Sequence, residues 1–98
     1  MDITKVVNGN DLIVSIVGRL DTSTATSFEE FISQNLSEEK NLILDCKGLE
    51  YVSSAGLRVI LSTQKKMQQV GTMKLINVCE LVMEVFEMTG FIDILTIE

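Results

Sequence analysis

The chain of 98 residues contains no histidine, no proline and no tryptophan, and only one tyrosine. The missing histidine removes the usual general base, the usual catalytic triad and the commonest metal ligand. Neither familiar glycine-rich phosphate loop can be written on its six glycines. No apolar run approaches the ~20 residues of a membrane-spanning helix. The opening MDITKVVNGN lacks the long apolar stretch of a secretion signal, so a cytoplasmic location is expected. Positive charge is scarce: eight Lys and Arg stand against fourteen Asp and Glu, a net charge of −6. Such a chain is repelled by phosphate backbones and by anionic lipid surfaces, so neither nucleic acid nor membrane is an expected partner. Two cysteines, Cys46 and Cys79, are too few for a disulfide scaffold or a cysteine-only zinc site. Both follow apolar runs and read as buried reduced thiols. The carboxylates are scattered, and the pairs Glu29-Glu30 and Glu38-Glu39 read as solvated surface. Asp21 and Asp45 stand apart, each read at a strand end, where α/β folds place sites. Nothing nominates a catalytic set, a metal or a cofactor, and no enzymatic activity is expected.

What is present is a globular pattern: 46% apolar and 22% charged residues, enough for one domain over residues 1–98. A first short strand ends at Val6 and Val7, and NGND, Asn8 to Asp11, is a hairpin turn signal. Leu12, Val14 and Ile16 alternate along a second strand. Ala25, Phe28, Ile32 and Leu36 recur at helical spacing, with Asp21 to Thr24 offering N-caps. Leu42 to Leu44 reads as a central strand covered on both faces. Leu57, Ile60, Leu61 and Met67 mark a second helix that Gly71 ends in the usual C-terminal role of glycine. Met73 to Val78 is a strand. Glu80 to about Thr89 is a helix with Leu81, Val82, Val85 and Phe86 inward and Gly90 as its stop. Ile92 to Ile97 reads as a last strand. The order β-β-α-β-α-β-α-β predicts an α/β fold, a mixed sheet with helices packed chiefly on one face.

One stretch carries more than fold information. In YVSSAGLRVIL, Tyr51 to Leu61, two serines stand between a strand-like run and a helix-like run. Either Ser53 or Ser54 qualifies as an N-cap, its oxygen accepting an orphan backbone N–H. The same place has a second property. The first turn of a helix presents free N–H groups and a partial positive charge, so a phosphate there is tolerated by the fold.

LILDCKGLEYVSSAGLRVIL resembles the signature of STAS domains, the anti-sigma factor antagonists. GRLDTSTA is similar to the family's G-x-L-D-x-x-T/S-A, and VFEMTGFIDILTI resembles its third helix and following strand. Together the three motifs span nearly the whole chain in the order derived above. The resemblance implies a STAS-like single domain. It also implies an antagonist that binds an anti-sigma factor serine kinase when unphosphorylated, so freeing the sigma factor. Phosphorylation of a loop serine ends the complex, and a PP2C-type phosphatase resets it. Aligning glycine with Gly56 places the phosphoacceptor on Ser54, with Ser53 the runner-up, and sets the family's strand-end aspartate on Asp21. Two positions depart from the pattern: Ser53 stands where many members have aspartate, and Ala55 where many have serine or threonine. The implied partner face comprises Asp21, Thr22, Ser23 and Thr24, then Ser53, Ala55, Gly56 and Leu57, and then Arg58, Ser62 and Lys65 along the second helix. The alternative is a STAS scaffold without a phosphoswitch, in a signalling or transporter complex.

Overall fold

The computed structural model describes every residue from Met1 to Glu98. Its elements are β1 (Asp2–Asn8), β2 (Asp11–Leu20), α1 (Ala25–Asn35), β3 (Asn41–Val52), α2 (Ser54–Val70), β4 (Thr72–Ile76) and α3 (Glu80–Thr89), followed by a 3₁₀ turn over Phe91–Asp93. β1 and β2 form the antiparallel hairpin that NGND predicts, with Gly9 at φ +63° in the turn. β2, β3 and β4 then run parallel in the order β1-β2-β3-β4.

Register explains the core. Leu12, Leu42 and Met73 lie side by side across the three parallel strands, and Val14, Leu44 and Leu75 form the next row. All six are buried. Phe28 and Ile32 of α1, Ile60 and Met67 of α2, and Val82 and Phe86 of α3 join them in one continuous core. All three helices therefore pack on one face of the sheet. Each fully buried aliphatic or aromatic side chain contributes roughly 1.5–3 kcal/mol, and α1, α2 and α3 are held mainly by this burial.

The other sheet face is open, which corrects one expectation. Leu42 and Leu44 are buried but Ile43 between them is only half-buried, so β3 alternates instead of being covered on both sides. β3 is also far longer than its apolar run and continues through Asp45 to Val52. Ser15 pairs with Asp45 and Leu20 with Val52, so β3 fits two more residues than β2 into the same span. Bulges after Ser15 and Gly18 absorb the excess, and the two strands end together.

Other corrections are local. Leu81 is exposed, because the inward stripe of α3 runs through Val82 and Phe86, with Val85 half-buried beside it. β4 stops at Ile76, and Asn77 turns the chain at φ +57°. Ile92 to Ile97 forms no strand. Its first half closes the 3₁₀ turn, sending Leu95 into the core, and a single bridge from Ile97 to Leu75 is all that reaches β4. Gly71 does end α2, but in an extended conformation; a Cβ there would sit 1.7 Å from the Lys40 carbonyl, so close approach requires the glycine. Cys46 is buried as expected, and burial pushes its thiol up to about 12. Cys79 is only half-buried, at the start of α3.

Candidate functional site

The common end of β2 and β3 builds the site. Leu20 and Val52 are register partners, so the residues that follow them, Asp21 and Ser53, leave the sheet side by side. The Ser53 N–H donates to the Leu20 carbonyl at 2.9 Å and ties the two exits together. Gly56 lets α2 start this close. A Cβ at that position would meet the Leu20 carbonyl oxygen at 2.6 Å and the Leu20 side chain at 2.9 Å.

The two exits are finished differently. After β2, the Asp21 carboxylate accepts from the Ser23 N–H at 3.0 Å and the Ser23 hydroxyl at 2.7 Å. Thr24 stands at the N-cap of α1 without capping it. Its hydroxyl turns back, accepting from the Asp21 N–H and donating to the Arg19 carbonyl, both at 2.9 Å. The Asp21 carbonyl takes the N–H groups of Thr24 and Ala25 instead. Donation by the Ser23 hydroxyl, with help from the Ser23 N–H and from Thr24, holds the Asp21 carboxyl below its usual range. After β3, Ser53 caps α2 in the usual way, its hydroxyl accepting from the Gly56 N–H at 3.3 Å. Ser54, the first residue of α2, is exposed, and its hydroxyl has no intramolecular partner.

Of the residues proposed from the sequence, the two turns and the first residues of α2 lie at this edge, whereas Ser62 and Lys65 lie about two and three helical turns further along α2. Thr22 and Ser23 are exposed on the first turn, while Asp21 and Thr24 are half-buried. Gly56 and Leu57 are buried, Ala55 and Ser62 half-buried, and Arg58 and Lys65 exposed along α2. Leu57 is thus a core residue and presents little to a partner. Asp45 does not belong here. It lies seven residues before Val52, inside β3, where its carboxylate accepts from the Lys47 N–H and the Asn77 side chain, each at 3.1 Å.

A family model described as STAS domain matches residues 2–98. The chain belongs to the STAS domain family. A Bordetella bronchiseptica relative, BtrV, provisionally named an anti-sigma factor antagonist, is 39% identical over 85 residues, covering 85% of this chain and 73% of its own. The Bacillus subtilis protein named anti-sigma-B factor antagonist is 33% identical over 91 residues, covering 92% of this chain and 84% of its own. The Bacillus cell fate determinant SpoIIAA, solved in a phosphorylated form, superposes with a TM-score of 0.75 at 18% identity, over 99% of this chain and 91% of that one. At that identity the likeness is one of fold.

Within this STAS domain, sequence reasoning missed two residues beside the site. Arg19 lies over the Tyr51 ring, 4.3 Å from its centroid, and its guanidinium is 3.6 Å from the Asp21 carboxylate. The pair follows from register, since Arg19 is opposite Tyr51. The bulges that create this pairing have no local sequence signal. The ion pair is exposed and adds little stability.

Proposed function

We propose that this STAS domain is an anti-sigma factor antagonist. In its unphosphorylated form it binds an anti-sigma factor that is also a serine kinase, and so releases the sigma factor. Phosphorylation of Ser54 inactivates it, and a PP2C-type phosphatase restores it. The observation that carries this reading is the division of labour between the two serines. Ser53 holds the helix start, and Ser54 stands exposed beside it with a free hydroxyl. The names of the curated relatives support the antagonist role. The solved phosphorylated form of SpoIIAA supports a phosphoryl group on a fold of this kind.

The physics gives the switch its sign. A phosphate adds about −1.5 to −2 charges. The amino end of α2 offsets part of that, by up to ~2 kcal/mol when partly buried, and the Asp21 carboxylate opposes it. These local terms roughly cancel, so the fold stays as it is. A partner packed over the site has no such compensation, because desolvating an unpaired dianion costs several kcal/mol. A loss of ~3 kcal/mol weakens binding about a hundredfold.

Phosphosite mapping tests the reading. The protein is mixed with ATP and the anti-sigma factor kinase encoded in the same genome, and intact and fragment masses are recorded. One phosphate on Ser54 is the expected result. A phosphate on Ser53 moves the acceptor and refutes the assignment. Binding with no phosphate leaves a STAS scaffold whose serines serve only the helix start.

A further inference from the structure

Three of the chain's eight Lys and Arg, and none of its fourteen Asp and Glu, lie on α2. The other two helices are the reverse: α1 carries Glu29 and Glu30, α3 carries Glu80, Glu84 and Glu87, and neither carries a base. Cations are thus gathered on one helix of an acidic protein. Arg58, Lys65 and Lys66 are all exposed. The protein's two ion pairs, Arg19–Asp21 and Lys74–Glu98, engage none of them. Stability gives no reason for this arrangement. A solvated helix gains by placing Glu three or four residues from Lys, and α2 never does so.

Two of these cations, Arg58 and Lys65, are also aligned. Ser54, Arg58, Leu61, Lys65 and Gln69 follow one another at steps of three or four residues, which is one stripe on a helix. At 1.5 Å per residue it runs ~22 Å from the Ser54 end. Arg58, Leu61, Ser62, Lys65, Lys66 and Gln69 line an open groove of about 410 Å³ there, with no carboxylate in it.

We propose that this stripe is the docking face for an acidic, Asp- and Glu-rich surface of the anti-sigma factor kinase. The inference rests on the antagonist reading above and names the chemistry of the partner. It also sharpens the switch. A phosphate on Ser54 stands at the head of the stripe, where it repels the same carboxylates that Arg58 and Lys65 attract. Electrostatic matching of this kind governs encounter and partner choice more than raw affinity.

Titration calorimetry and stopped-flow association with the kinase test this at 50 and 500 mM salt. The expected result is association at least about tenfold slower at high salt. Lys65→Glu and Arg58→Glu each weaken binding about fivefold or more, and Lys65→Gln weakens it less. Lys5→Glu, on the far edge strand, changes nothing. Circular dichroism melting checks that each variant is folded. Tight binding that ignores salt and both reversals overturns the acidic partner but leaves the antagonist. No binding of the wild type to the kinase removes both. A single-stranded oligonucleotide is titrated in parallel. If it binds and Lys65→Glu abolishes that binding, the stripe is a polyanion site and the proposal is wrong.

Discussion

Two turns leave the same edge of the sheet, one after β2 and one after β3, and each starts a helix. The first turns inward. Asp21, Ser23 and Thr24 bond one another and the strand behind them, leaving only the Thr22 side chain without an internal partner. The second spends one hydroxyl on the helix start and leaves the next one free. Equal local tasks, solved differently, separate a turn whose polar groups bond one another from one that leaves a hydroxyl free. The free hydroxyl is affordable because Gly56 and the Ser53–Leu20 hydrogen bond already fix the start of α2.

The largest expected break in that contrast is at Ser54. Ser54→Asp places a carboxylate on the free position and weakens kinase binding by about a hundredfold, that is ~3 kcal/mol, with the melting temperature nearly unchanged. Ser54→Ala keeps binding and resists inactivation. Calorimetric titration with the kinase and a thermal melt read both. If Ser54→Asp binds like the wild type, charge at this position is not the switch.

Next in size is Gly56→Ala. Its methyl group meets the Leu20 carbonyl at 2.6 Å, so α2 must move away from β2. Overpacking of this sort costs about 1–3 kcal/mol. For a domain of this length that lowers the melting temperature by roughly 4–8 °C per kcal/mol. An unchanged melting temperature would show that close packing is not what the glycine provides. Ser53→Ala follows, removing the cap for about 1 kcal/mol. The two serines thus differ in kind: Ser53→Ala shows in denaturant midpoints and Ser54→Asp in kinase binding. If both variants shift the same observable, the division of labour is false.

Much of this was legible in the sequence, for identifiable reasons. Leu12, Val14 and Ile16 alternate cleanly, so β2 and its buried face could be read directly. Ser53 and Ser54 stand between two strong periodic runs, so the start of α2 was fixed to within a residue. Which of the two serines caps the helix was not, because both satisfy the same rule and only the backbone separates them. The length of β3 escaped because Asp45, Lys47 and Glu50 interrupt its apolar run, and bulges keep such a strand in register without leaving a motif. The same blindness hid Arg19 over Tyr51. Ile92 to Ile97 failed for the opposite reason. Its apolar residues satisfy a strand pattern, yet Leu95 is buried from a turn. Composition along a short segment does not distinguish those two ways of reaching the core.

The smallest expected effect isolates the first turn. The Asp21 carboxyl is held below its ordinary range chiefly by the Ser23 hydroxyl, with further donation from the Ser23 N–H and Thr24. A carboxyl depressed in the folded state favours folding once it is ionised. That contribution is complete above the ordinary carboxylate value of about 3.9 and is lost as pH falls through the lower folded value. Asp21→Asn keeps an oxygen for Ser23 but carries no charge to titrate. The variant is therefore slightly less stable than the wild type at neutral pH, and the gap closes below about pH 4. Denaturant midpoints at a series of pH values read this directly. A gap that persists at low pH would assign the loss to the shape of the turn instead of the charge. The inward turn would then be a packing device, and its contrast with the Ser53–Ser54 turn would lie in geometry alone.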